Sequence, residues 1–179
     1  MKKIISLFKR NYGGDRLVYD EVVEGAEWVI AGEGVATLKW DGTAAMVRGG
    51  KLFKRYDAKK GKAPPAGWEA AQDPDPVTGH HPGWLPVGDG PDDRWFREAV
   101  LPAEDGTYEL IGPKVQGNPY GEKEHRLVSH GANVLEGVPR RYGMLREWFS
   151  LNTLEGVVWH HPDGRMVKIK RRDFGFRWP

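Results

Sequence analysis

Lys39 stands at the end of an alternating run, Val35-Ala36-Thr37-Leu38, and is followed by Trp40-Asp41-Gly42-Thr43. The run reads as a strand, which puts the lysine where a strand gives way to a turn. A lysine amine is a nucleophile only when neutral, and with an ordinary pKa near 10.4 only about 0.1% of it is neutral at physiological pH. A reactive Lys39 therefore needs burial or neighbouring positive charge to lower its pKa. Asp41 acts in the opposite sense, so it reads as an orienting or metal-side group rather than an activator. Residues two apart in an extended strand share a face, which predicts that Lys39 and Asp41 look into one pocket.

A second group of reactive types lies near the C-terminus. Leu154 to His160 and Met166 to Lys170 read as two strands around His161-Pro162-Asp163-Gly164-Arg165. Asp-Gly is a strong hairpin signal. A two-residue turn at Asp163-Gly164 sets Lys168 opposite Trp159, Lys170 opposite Val157 and Arg172 opposite Glu155. Glu155, Lys168 and Lys170 are then expected on one face, with Val158, Val167 and Ile169 on the other. The first face either carries a carboxylate and two lysines into a common space or is a solvated polar surface. Glu109 lies among apolar residues in Gly106-Thr107-Tyr108-Glu109-Leu110-Ile111-Gly112. An unpaired charge is costly to bury, so Glu109 reads as facing solvent or a ligand.

Together these types suit transfer of a nucleotidyl group, which needs a nucleophilic lysine, cations on phosphate, a carboxylate for a divalent metal and an acceptor for a ribose hydroxyl. Lys168 and Lys170 would stabilise phosphate charge and help lower the pKa of Lys39. Glu155 would hold Mg²⁺, which prefers oxygen ligands and phosphates, and Glu109 would take the ribose.

The elements that must position these residues follow from the rest of the chain. Its 179 residues suggest one domain with a proper core. The absence of cysteine excludes disulfides, thiolate zinc sites and a cysteine nucleophile. No apolar stretch approaches the ~20 residues of a membrane span, and Ile4 to Phe8 is too short for a signal peptide, so a soluble, cytoplasmic protein is expected. The net charge of +2 does not announce nucleic acid, yet positive residues cluster at 51–62 and 168–172. Glycine and tryptophan are abundant and helical periodicity is scarce, which favours a β-rich protein.

Gly49-Gly50 predicts a two-residue hairpin turn with a return strand Lys51 to Tyr56. Lys54 and Arg55 on that strand either reach phosphate or form a solvated basic surface. Residues 59–90, rich in proline and glycine, read as a loop insertion in which His80 to Leu85 rests on the body. A short helix is expected over Asp93 to Val100. His130 reads as a structural histidine. Pro139 to Ser150 is the best helix, with Pro139 in its first turn and Leu145, Trp148 and Phe149 as its apolar stripe.

The order of these segments resembles the covalent nucleotidyltransferases: DNA ligases, RNA ligases and mRNA capping enzymes. Lys39 to Thr43 is similar to motif I with its K-x-D-G arrangement. Tyr108 to Gly112 resembles motif III, Glu155-Gly156-Val157-Val158 motif IV, and Lys168-Ile169-Lys170 motif V. One branch is nearer, the stand-alone ATP-dependent 5′-to-3′ RNA ligases of vertebrates. That resemblance rests on Gly79-His80 with Pro82-Gly83-Trp84, Glu109-Leu110-Ile111-Gly112, Gly117-Asn118-Pro119-Tyr120-Gly121, His130-Gly131-Ala132, Glu155 to His160 and Trp178-Pro179. It runs in order from about residue 35 onward, while residues 1–30 add little and the stretch from Arg97 to Glu104 looks shorter.

The resemblance implies an α+β nucleotidyltransferase (ATP-grasp-like) domain with antiparallel sheets around a nucleotide cleft. It implies ATP and Mg²⁺ (or Mn²⁺) as cofactors, and RNA with 5′-phosphate and 3′-hydroxyl ends as partner. Lys39 would take AMP from ATP, AMP would pass to the RNA 5′-phosphate, and a 3′-hydroxyl would displace it. Leu38, Lys39, Trp40, Gly42, Arg55, Glu109, Glu155, Lys168 and Lys170 would bind the nucleotide, with Asp41 and Glu155 on the metal and Arg55 as the phosphate arginine after motif I. The chain ends nine residues after Lys170, so no OB domain is expected. A non-catalytic RNA- or nucleotide-binding module and a GTP-using capping-type enzyme are the alternatives. The basic residues 51–62 and the long loop are candidate RNA contacts, since phosphate contacts supply much of nucleic-acid affinity. Replacing Lys59, Lys60 and Lys62 together is expected to weaken RNA binding and flatten its salt dependence while sparing self-adenylylation, as read by a binding titration beside a labelling gel.

Overall fold

The computed structural model describes residues 1–179. In chain order its elements are β1 (Ile5–Ser6), β2 (Phe8–Arg10), β3 (Val18–Val22), α1 (Glu27–Ile30), β4 (Val35–Lys39), β5 (Thr43–Arg48), β6 (Lys51–Ala58), β7 (Glu69–Ala70), β8 (His81–Pro86), α2 (Arg94–Glu98), β9 (Gly106–Ile111), β10 (Arg126–Ser129), α3 (Tyr142–Leu151), β11 (Gly156–His160) and β12 (Met166–Lys170). This is an α+β chain with few helices, and no helix is long and apolar enough to cross a membrane. It forms two compact units: Met1–Lys3 with Asp41–His130, and Ile4–Trp40 with Gly131–Pro179.

The first unit is built on a six-stranded antiparallel sheet of order β10-β9-β5-β6-β8-β7. Gly49 and Gly50 both take positive φ, and Arg48 pairs directly with Lys51, so the expected two-residue turn is present. Alternation along β5 and β9 buries Ala45, Val47, Tyr108 and Leu110 beneath Phe96 and Ala99 from α2 and the segment after it. The 59–90 segment differs from the loop expected of it. It contains β7 and β8, and β8 pairs with β6 from Phe53↔Pro86 to Ala58↔His81. Pro82, Gly83 and Pro86 disguise this strand in the sequence. The structure accommodates them because β8 has only the two-residue β7 on its far side, where few amide donors are required.

The second unit carries a four-stranded sheet of order β1-β12-β11-β4 and the hairpin β2-β3. All its pairs are antiparallel except β1 with β12. The β11–β12 register differs by one residue from that of a turn at Asp163-Gly164. His160 pairs with Met166, leaving a five-residue loop that makes its own bonds: the His161 amide to the Arg165 carbonyl (2.9 Å) and the Gly164 amide to the His161 carbonyl (2.9 Å). A one-residue slip flips faces. The buried face is therefore Val157, Trp159, Val167 and Ile169, all fully buried, and Val158 lies with Lys168 instead. Leu145 and Phe149 of α3 cover that face as the helical stripe predicts, together with Leu7, Phe8, Trp28 and Phe174. The helix starts at Tyr142 rather than Pro139, because Arg140 donates to the carbonyls of Val29, Glu33 and Gly34 and Arg141 stays extended.

Gly156 occupies a crowded place in this sheet. A Cβ there would lie 2.4 Å from the Ile169 carbonyl oxygen and 3.1 Å from Lys170 Cα. Gly156→Ala is expected to lower the unfolding free energy by roughly 1–3 kcal/mol in urea titrations, whereas Gly13→Ala, with open space around it, should stay within about 0.5 kcal/mol of the wild type.

Candidate active site

The register of the second unit sets the lysines in rows. Lys39 of β4 pairs with Gly156 of β11, which pairs with Lys170 of β12; one row on, Thr37 pairs with Val158 and Val158 with Lys168. Directly opposed residues point to the same side of a sheet, so all three lysines rise from one face. Gly156 contributes no side chain between Lys39 and Lys170. The Glu155 carboxylate bridges them, with Oε2 3.0 Å from Lys39 Nζ and Oε1 3.4 Å from Lys170 Nζ. Glu155 is only 2% exposed. It escapes the strand alternation that would send it to the opposite face because β11 begins one residue later, at Gly156. Oε2 has no hydrogen-bond partner, so its contact with Lys39 is an ion pair off the hydrogen-bonding line.

Lys168 holds its proton less firmly than an ordinary lysine. Burial pushes its pKa down to about 8, the charges of Lys170 and Lys39 add to the effect, and Glu155 and Asp173 oppose it. Lys170 is fixed through its backbone: its amide donates to Asp173 Oδ2 at 2.9 Å, and Asp173, itself buried, pairs with Arg10. The Arg171 amide donates to the Glu155 carbonyl at 2.9 Å. Leu38 and Trp40 flank the lysine and share Asn133. The Leu38 amide donates to its carbonyl (2.8 Å) and Trp40 Nε1 to its side-chain oxygen (3.3 Å). Sequence reasoning passed over Asn133, since nothing in its neighbourhood distinguishes it from loop.

Asp41 departs from expectation. β4 ends at Lys39, so the two-residue alternation stops before Asp41, which belongs to the first unit. Its amide donates to the Tyr120 hydroxyl at 2.6 Å. Within that unit Gly42 and Glu109 come together: the Gly42 amide donates to Glu109 Oε1 at 3.1 Å. A Cβ on Gly42 would fall 2.2 Å from the Leu110 carbonyl oxygen and 2.8 Å from Glu109 Cγ, which is why glycine stands there. Glu109 Oε2 lies 2.8 Å from His130 Nε2, and His130 Nδ1 lies 3.0 Å from Thr107 Oγ1. The carboxylate is thus not unpaired: it has a histidine partner, and His130 is bonded at both ring nitrogens. The unpaired charge in β9 was the signal that such a partner must exist. Arg55 is held by Met1 and Trp84, donating to the Met1 carbonyl at 2.9 Å with Cζ 4.9 Å from the Trp84 ring centre. Burial keeps its pKa below the usual guanidinium range.

No group of three or more His, Cys, Asp or Glu side chains converges, so the chain offers no cage built of protein ligands alone. That is compatible with Mg²⁺, which is commonly held by one or two carboxylates together with substrate phosphates. Glu155, a buried carboxylate with an oxygen lacking a hydrogen bond, fits such a role.

Residues 99–179 match the family model described as RNA ligase 1. An RNA ligase 1 of Pongo abelii is 31% identical over 57% of this chain and 43% of its own length. RNA ligase 1 of Mus musculus is 27% identical over 72% of this chain and 57% of its own, and that of Danio rerio 31% over 56% and 42%. The chain is similar to these vertebrate RNA ligase 1 proteins, and it spans about half the length of the curated relatives it matches.

The Lys168 environment has a measurable consequence. A lysine whose folded pKa is depressed costs stability while it is charged, and the cost is relieved as pH rises from the folded pKa of about 8 towards the ordinary value of 10.5. Lys168→Met is expected to raise the Tm at pH 7, at about 2–4 °C per kcal/mol recovered in a chain of this size. The advantage should shrink as the pH is taken from about 8 to 10 in calorimetric scans. An advantage that does not change with pH would assign the gain to packing instead.

Proposed function

We propose that the chain is an ATP-dependent RNA ligase that works through a lysyl-AMP intermediate on Lys39. The observation that carries this reading is the Lys39–Glu155–Lys170 cluster, with Lys168 in the adjoining row. The lone pair of the Lys39 amine attacks the α-phosphorus of ATP, the bond to the β-phosphate oxygen breaks, and pyrophosphate leaves with its electron pair. Attack needs the neutral amine, so Lys39 gives up a proton to solvent and its ion pair with Glu155 opens as the nucleotide enters. Lys168 and Lys170 meet the phosphate charge that replaces the carboxylate. Mg²⁺ held by Glu155 and the phosphates would neutralise the leaving pyrophosphate. Lys168, whose proton burial and the charges of Lys170 and Lys39 loosen, is responsive to an arriving anion, which favours its charged, phosphate-binding form.

An oxygen of the RNA 5′-phosphate then displaces Lys39 from the AMP phosphorus, breaking the P–N bond and returning the amine its electron pair. A 3′-hydroxyl next attacks the activated 5′-phosphate, forms the phosphodiester and expels AMP. Asp41 on the metal, Arg55 on phosphate, and Leu38, Trp40 and Gly42 on the nucleotide are the parts of this reading supported by resemblance alone. Glu109 keeps carboxylate lone pairs beyond those taken by Gly42 and His130, which suits acceptance of a ribose hydroxyl.

The test is incubation with Mg²⁺ and α-labelled ATP, followed by a denaturing gel beside Lys39→Ala. Label is expected on the wild type alone, with at least a hundredfold loss in the variant and joining of 5′-phosphorylated RNA by the wild type. Labelling by GTP but not ATP would point to a capping-type enzyme. No label with either nucleotide would leave a binding module.

A further inference from the structure

Beyond the lysine cluster, the second unit gathers arginines that have no carboxylate partners. Arg10 and Arg165 of this unit, like Arg48, Arg94 and Arg126 of the other, each pair with an Asp or Glu, while Arg55, Arg97 and Arg140 donate to backbone carbonyls. Arg146 of α3 and Arg171, Arg172 and Arg177 of the C-terminal segment have no carboxylate partner, and all except the half-buried Arg171 are exposed. Two of them meet at one aromatic ring. The guanidinium carbons of Arg146 and Arg171 lie 5.3 and 5.2 Å from the centre of the same ring, Phe176. Arg171 also donates to the Asn152 carbonyl (2.9 Å) and the Arg177 carbonyl (3.0 Å), which ties the end of α3 to the C-terminal segment.

Two like charges on one ring repel each other, and an anion bound between them would relieve that repulsion. The acidic residues in the two segments, 139–152 and 171–179, are Glu147 and Asp173. Asp173 is buried and committed to Arg10 and the Lys170 amide, and the exposed Glu147 has no ion pair with these arginines. The surface begins one residue after Lys170, at the arginine whose amide is bonded to Glu155. Guanidinium planes suit both phosphate oxygens and exposed bases, and Phe176 supports those of Arg146 and Arg171.

We infer that the surface built on Arg146, Arg171 and Phe176, with the exposed Arg172 and Arg177 of the same C-terminal segment, binds the sugar–phosphate backbone of the single-stranded RNA whose end is joined. This rests on the ligase reading above, yet it is separable from it, because self-adenylylation requires no RNA. Residues 51–62 belong to the other unit and are a distinct basic segment.

The experiment uses the full chain with a short, fluorescent, 5′-phosphorylated single-stranded RNA, followed by anisotropy across a KCl series. The variant Arg146→Gln/Arg172→Gln/Arg177→Gln is expected to bind at least tenfold more weakly at moderate salt. The slope of log K against log salt should fall by about 2, at about 0.7 per phosphate contact on a single strand. Lysyl-AMP formation without RNA should match the wild type. The corresponding triple Lys variant should recover most of the slope. Arg172→Gln alone, at an exposed position, gives a smaller shift in the same direction and serves if the triple variant unfolds. Unchanged affinity and slope in the arginine variants, with loss confined to Lys59, Lys60 and Lys62 replacements, would overturn the assignment. Absence of lysyl-AMP in the wild type would instead count against the ligase reading, while an arginine-dependent salt slope would still locate the RNA surface.

Discussion

A carboxylate shut away from water holds the lysine face together. Glu155 is almost wholly buried, and a charge in that position is tolerable only with compensating charge close by. Lys39 and Lys170 provide it from either side. Their placement is a matter of backbone register more than of side-chain choice, because both stand opposite Gly156 in adjoining ladders. Glycine there does two things at once. It lets β12 come close, and it leaves the space above the sheet through which the carboxylate reaches both amines. Removing either cation would leave Glu155 buried with half its compensation, so the three groups behave as one electrostatic unit.

The segment Lys39-Trp40-Asp41-Gly42 reads as one short motif, yet its parts answer to different constraints. Lys39 is the last residue of a ladder and is oriented by pairing. Gly42 is demanded by the approach of the Leu110 carbonyl and the Glu109 side chain. The chain passes from one compact unit to the other between Trp40 and Asp41 and again between His130 and Gly131. The compact spacing of the motif is thus the spacing needed to end one strand, cross, and begin the next. Glu109 is held at its end of the crossing by a histidine rather than by a lysine. A histidine partner balances the carboxylate while leaving lone pairs available to a hydroxyl donor.

Much of this arrangement is legible in the chain because it follows short-range rules. The Gly49-Gly50 turn, the strand through Glu109 and the α3 stripe all come from turn chemistry or periodicity within a few residues. The errors come from places where one residue changes everything downstream. A loop of five rather than two residues reverses which of Val157 and Val158 shares a face with the lysines. The end of β4 at Lys39 cancels the alternation that linked Lys39 to Asp41. β8 is hidden by prolines that only a strand with so short an outer neighbour tolerates. The partnerships of Asn133, Tyr120 and His130 join residues more than twenty positions apart, and no local pattern encodes them.

The strand that carries Lys39 stands at the border of its sheet, but its outer margin is not bare. The Leu38 amide donates to the Asn133 carbonyl, the Leu135 amide to the Ala36 carbonyl, and Thr37 bridges to Val134. The three irregular residues 133–135 therefore serve as a selvedge, stitched largely with main-chain atoms. Main-chain stitching is indifferent to most side-chain replacements and intolerant of a change in length. The stretch can drift in composition over generations while the count of residues between His130 and Pro139 stays constrained. Its sequence would be a poor guide to kinship and its spacing a good one.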